Sequence, residues 1–130
     1  MSAFVPPERQ LVIEVTVSNI LRSTAFYRTI GFTLIRAEEH FAELGWEDSK
    51  LLLEERASYR APVIPAGNVR ILVPNVDDYW AKCAELGIPI YLPIENRYYG
   101  LRDFTALDPD GFGIRFATPI PMPEDGQNPH

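Results

Sequence analysis

The chain has 130 residues, 46% apolar and 23% charged, with a net charge of −6, the size and mix of one soluble globular domain. Its acidic residues are scattered and its Lys and Arg residues form no cluster, which excludes a basic face for nucleic acid or an anionic membrane. No stretch approaches the roughly 18 apolar residues of a membrane span, residues 1–10 lack a signal-peptide profile, and the single cysteine, Cys83, forbids an intrachain disulfide, so a cytoplasmic protein is expected.

Residues 11–17 alternate in polarity and are rich in β-branched side chains, which predicts a strand. Asn19 is placed to cap a helix, and Ile20, Ala25, Phe26, Thr29 and Ile30 recur at helical spacing as far as Gly31, a residue suited to a left-handed helix end. Short strands are expected at 32–35, 41–46 and 51–54, with the polar residues 47–50 as a hairpin turn. Residues 57–67, carrying Pro62 and Pro65, read as a linker.

The order then repeats. A strand at 69–73 leads to Asn75 as a cap and to a helix with Val76, Trp80, Cys83, Ala84 and Leu86 on one face. Gly87 stops it, and Cys83 is expected to be a buried, inert thiol. Strands follow at 88–92, 101–107 and 112–117, the last two joined by the turn Asp108-Pro109-Asp110-Gly111. From 119 onward, Pro119, Pro121, Pro123 and Pro129 mark a loose tail over 119–130.

A shift of 56 residues lays Val17-Ser18-Asn19-Ile20 on Val73-Pro74-Asn75-Val76 and pairs Ala25 with Ala81, Ile30 with Leu86 and Gly31 with Gly87. Both halves therefore spell β-α-β-β-β, and the fold class is α+β, two tandem βαβββ modules at about 10–56 and 68–118 in one domain. Alternation places Val12, Glu14 and Thr16 on one face of the first strand and Asn68, Arg70 and Leu72 on the matching face of the second. The opposite faces, Ile13-Val15-Val17 and Val69-Ile71-Val73, are apolar and are expected to pack under the helices.

This plan resembles the glyoxalase/bleomycin-resistance/dioxygenase group, also called the vicinal-oxygen-chelate group. The strings that carry the likeness are residues 17–27, Val-Ser-Asn-Ile-Leu-Arg-Ser-Thr-Ala-Phe-Tyr, with the helix end at Gly31-Phe32, and residues 101–111 followed by Ile114-Arg115-Phe116. The resemblance implies a cupped mixed sheet, a homodimer and a small-molecule pocket. In the group's metal enzymes four strand positions ligate a divalent ion; carried over, they fall on Val12, Leu53 (with Glu54 beside it), Asn68 and Arg115. Hydrocarbon, an amide and a guanidinium cannot chelate a metal. Of the two histidines, His130 is the final residue and His40 reads as a surface or turn residue. No metal and no other cofactor is therefore expected.

What remains on the concave face is Glu14, Thr16, Asn68, Arg70 and Arg115, with a Glu14–Arg70 or Glu14–Arg115 salt bridge as the structural reading and, as the functional one, the two arginines holding an anionic or carbonyl-bearing ligand or Glu14 a cationic one. Three functions stay open. The first is sequestration of an aromatic or glycopeptide-like ligand, as in bleomycin resistance, with Trp46, Tyr98, Tyr99 and Arg102 as contacts. The second is metal-free acid–base catalysis of the glyoxalase-superfamily kind, with Glu14 as base and Arg70 or Arg115 stabilising an oxyanion. The third is a non-catalytic dimeric scaffold.

Overall fold

The structure is a computed structural model that describes residues 4–122. It divides into two compact units, residues 1–61 and 62–130. Each builds its own core.

The first unit opens on a feature too short for periodicity to reveal, one helical turn, α1 (Pro7–Gln10), with Pro7 in its first turn, where no amide hydrogen is needed. Strand β1 (Ile13–Val17) leads through the Asn19 cap into α2 (Ile20–Ile30), and β2 (Thr33–Glu38), β3 (Phe41–Trp46) and β4 (Ser49–Glu55) follow. Their lateral order is β1-β4-β3-β2, with β1 parallel to β4 and the other pairs antiparallel. The expected turn at 47–50 shrinks to two residues, Glu47 and Asp48. Glu47 takes a positive φ of 53°, and Ser49 already pairs with Trp46.

Helix α2 buries Ile20, Ser23, Tyr27 and Ile30, and the sheet meets them with Val15, Val17, Ala42, Leu44, Leu51 and Leu53. Ile13 departs from expectation: at the start of an edge strand it stays 47% exposed. The helix stop at Gly31 is doubly constrained. Its φ is 130°, and a Cβ there would lie 2.7 Å from the Trp46 ring, which itself packs edge-on against Phe32 at 5.1 Å.

The second unit repeats the plan with β5 (Asn68–Leu72), α3 (Val76–Leu86), β6 (Ile90–Asn96), β7 (Leu101–Leu107) and β8 (Gly113–Pro119) in the order β5-β8-β7-β6. Gly87 ends α3 in the left-handed conformation. Trp80 meets Phe104 edge-on at 5.1 Å and Tyr79 stacks on Phe116 at 4.7 Å, so Phe104, Ala106, Ile114 and Phe116 form the helix-facing side of the sheet. Of the expected helix face, Val76 and Cys83 are buried while Ala84 and Leu86 are exposed. Burial pushes the Cys83 thiol pKa up, the state of an inert thiol.

The turn after β7 is held by Asp108, whose Oδ1 accepts from the amides of Asp110 (2.8 Å) and Phe112 (2.9 Å). Residues 119–122 do not behave as a loose tail. Pro119 pairs with Leu101 in the sheet, the Ile120 amide donates to the Gly100 carbonyl at 2.9 Å, and Met122 lies over Gly100. The remainder of the expected tail, with Pro123, Pro129 and His130, lies outside the described residues.

Both helices share a device that local sequence does not announce. The Asn caps accept from the Arg22 and Asp77 amides. A second cap comes from the last strand of each unit: Glu55 Oε2 accepts from the Ile20 amide and Thr118 Oγ1 from the Val76 amide, each at 2.8 Å. Both satisfy a first-turn donor that the helix cannot.

Candidate functional site

Side chains alternate across a strand, so in the second unit the residues that do not face α3 share the opposite side of the sheet. These are Asp103 and Thr105 on β7, Arg115 and Ala117 on β8, and Asn68, Arg70 and Leu72 on β5. Register sets their neighbours: Thr105 stands opposite Arg115, Asp103 opposite Ala117, and Arg70 opposite Arg115.

Asp103 is only 1% exposed, and a buried carboxylate requires partners. It has three. Arg97 Nε donates to Oδ1 at 2.7 Å. Arg115 donates to Oδ2 through Nε (3.0 Å) and Nη2 (2.7 Å). The Tyr99 hydroxyl also donates to Oδ2, at 2.9 Å, and accepts from Arg115 Nη2.

Arg97 is further engaged by Glu95 at 2.9 Å and by the Pro93 carbonyl at 2.7 Å. The Arg115 guanidinium lies 5.4 Å from the Tyr99 ring centre, a cation–π distance. Tyr98 packs edge-on to Tyr99 at 5.1 Å, and the two rings remain 43% and 38% exposed. Burial, then the nearby cations Arg97 and Arg70, lower the Arg115 pKa; a guanidinium remains charged in proteins all the same.

The fold therefore groups four of the expected site residues, Arg70, Arg115, Tyr98 and Tyr99, around two that the sequence analysis passed over, Asp103 and Arg97. The sequence offered Glu14 as the acidic partner of Arg70 or Arg115; within the second unit, β7 supplies Arg115 with Asp103. A signal existed, since an acid in the middle of the strand 101–107 sits opposite in face to Phe104. Alternation alone could not say which cations it would meet.

Other expected residues lie elsewhere. Arg102 points to the helix side, where Nη2 and Nε bind Asp77 at 2.9 and 3.2 Å and Nη1 binds Asn96 at 3.1 Å. The Asp77 pKa is lowered chiefly by that Arg102 hydrogen bond. Trp46 is half-buried against Phe32 and Gly31 in the first unit, on the side of α2. Asn68 is exposed on β5, with its Cβ above Gly113, and Glu14 is exposed on β1.

His40 sits in the β2–β3 turn, as expected of a surface residue. Its Nδ1 is 2.6 Å from Glu55, the carboxylate that caps α2.

Register also corrects one of the four positions that the family resemblance assigned to metal. Arg70 pairs with Arg115 in the second unit and Glu14 with Leu52 in the first, so the equivalent of Arg115 is Leu52, while Leu53 is wholly buried on the helix side. The positions become Val12, Leu52, Asn68 and Arg115. Two of them have no lone pair to offer and one is a cation held by Asp103, so they do not fit a divalent ion.

No curated protein matches the sequence. Among solved structures, the bleomycin resistance determinant encoded on transposon Tn5 superposes with a TM-score of 0.71 at 18% identity, covering 85% of this chain and 97% of its own. A glyoxalase/bleomycin resistance protein/dioxygenase from Nocardioides gives 0.72 at 17%, covering 99% and 91%. A bleomycin-binding protein complexed with bleomycin gives 0.69 at 18%, covering 84% and 97%. At such identities the likeness is one of fold. The sequence profile of the Glyoxalase/Bleomycin resistance protein/Dioxygenase superfamily matches residues 9–116, which span both βαβββ units, and the chain belongs to that superfamily.

Proposed function

We propose that the chain is a metal-free small-molecule-binding protein that sequesters an aromatic or glycopeptide-like ligand without making or breaking a bond. The observation that carries this reading is the exposed Tyr98–Tyr99 pair, fixed beside Arg115 because Tyr99 and Arg115 share the buried Asp103 carboxylate. Flat amphipathic rings that lose little freedom on binding are effective ligand platforms. Donor chemistry at Val12, Leu52, Asn68 and Arg115 supports binding over metal-assisted catalysis. The bleomycin-binding structure of like fold makes bleomycin the first ligand to test. The same reading carries a cytoplasmic homodimer, paired through an open strand edge, and a role in antibiotic resistance.

Both tryptophans pack on helix-facing sides, Trp46 on Phe32 and Trp80 on Phe104, so calorimetry and tyrosine-edited NMR are better reporters than tryptophan emission. Bleomycin is expected to bind saturably and to move the Tyr98 and Tyr99 ring signals, and Tyr99→Ala to abolish the effect. Absence of heat and of shift changes at saturating bleomycin and a second glycopeptide would refute the reading, as would turnover of either compound.

A further inference from the structure

Resting on that reading, one cation in the second unit is not explained by it. Arg97 is spent: Nε, Nη1 and Nη2 all donate to Asp103, Glu95 and Pro93. Arg115 uses Nε and Nη2 and leaves Nη1 without a hydrogen bond among the described residues. Arg70 is exposed and has no ion pair among the described residues. Nevertheless its Cα pairs with that of Arg115 on the neighbouring parallel strand, about 5 Å away by strand spacing, and its charge is among the causes that lower the Arg115 pKa.

Placing two like charges in adjacent registered positions is unfavourable for the folded chain alone. Asp103 does not remedy it, because both its oxygens are taken. Among the described residues of the second unit, three guanidinia thus meet two carboxylates, Asp103 and Glu95, which leaves one positive charge over. An anion between Arg70 and Arg115 would convert the repulsion into two charge-assisted contacts.

We propose that Arg70 and Nη1 of Arg115 form an oxyanion subsite, so that the ligand is an aromatic compound bearing a carboxylate or a phosphate next to the ring that lies on Tyr98 and Tyr99. Among the aromatic ligands that Tyr98 and Tyr99 accept, the positive excess favours those that place an acidic group here, and Arg70 is the residue that sets the preference. Arg115 and Tyr99 are fixed by Asp103, whereas Arg70 is exposed on an edge strand and is the group that closes on the anion.

Calorimetry of the full-length protein with 2-naphthoate, 2-naphthamide and inorganic phosphate tests this. The carboxylate is expected to bind at least about tenfold tighter than the neutral amide, as one charge-assisted hydrogen bond implies, and to weaken as salt is raised. Arg70→Gln is expected to lower naphthoate affinity about tenfold to a hundredfold while leaving naphthamide unchanged, and Arg70→Lys to recover part of the loss. Arg70 is exposed and has no ion pair among the described residues, so these variants are expected to fold; a circular-dichroism melt no lower than that of wild type verifies it.

Equal affinities for acid and amide would overturn the oxyanion subsite while leaving aromatic binding intact. Phosphate binding that equals naphthoate and depends on Arg70 would support the subsite and count against the aromatic reading. Failure of both anions to bind at millimolar concentration would overturn it.

Discussion

Replacing Asp103 by alanine removes the acceptor of four hydrogen bonds, from Arg97 Nε, Tyr99 Oη and Arg115 Nε and Nη2. The guanidinia of Arg97 and Arg115, whose side chains are 18% and 25% exposed, then lose the counter-charge they share. Removing one partner of a buried ion pair costs about 3–5 kcal/mol. Arg97 retains Glu95 at 2.9 Å, which places the expected loss for Asp103→Ala at the lower end, about 3 kcal/mol. For a chain of this length that is a fall in Tm of roughly 10–15 °C. Asp103→Asn keeps shape and one acceptor and should lose about half as much. The triple variant Asp103→Leu, Arg97→Met, Arg115→Met, which removes the charges together, should regain most of the stability. Urea denaturation followed by Trp80 emission reads this unit directly, because Trp80 packs on Phe104 one residue away along β7. A loss below about 1 kcal/mol for Asp103→Ala, or a triple variant no more stable than the single one, would refute the view that this carboxylate organises the cluster.

Two further outcomes follow from the first unit. Gly31→Ala meets both an unfavourable φ of 130° and the Trp46 ring at 2.7 Å, so a loss of about 1–3 kcal/mol from backbone strain alone is expected, together with a shifted Trp46 emission maximum; an unchanged denaturation midpoint would contradict it. The His40 pKa is raised chiefly by its hydrogen bond to Glu55, and the Glu55 pKa is lowered first by the Ile20 amide and then by His40. The His40 contribution is therefore complete below its ordinary value of 6.5 and is lost as pH rises through the raised folded value. That of Glu55 is present above 4.5 and is lost as pH falls through the lowered one. Denaturation midpoints of wild type should decline as pH rises above the ordinary histidine value of 6.5 while those of His40→Asn stay flat over the same range; parallel curves would show that the pair contributes nothing.

Much of the architecture was legible because it is written in local chemistry. Period-2 and helical spacing, two Asn caps, two glycine stops and the Asp-Pro-Asp-Gly turn each depend on a few adjacent residues, and the 56-residue shift exposed their repetition. Strand ends slipped by a few residues, as at β2 and β6, where pairing with β3 and β7 extends strands beyond their apolar segments. Alternation also fixed correctly that Arg70 and Arg115 turn away from the apolar helix-facing side. It did not disclose which side chains meet there.

That was decided by lateral order and register, which join residues far apart in the chain. Glu55 and Thr118 became helix caps only because the last strand of each unit lies beside the first. Leu52, not Leu53, became the counterpart of Arg115 through a one-residue register that reverses the face. Asp103 became the centre of the site because pairing of β7 with β6 and β8 brings Arg97 and Arg115 to its two oxygens. A strand's own sequence determines which face a residue occupies; the hydrogen-bonded neighbour determines what that residue touches, and only the folded sheet supplies it.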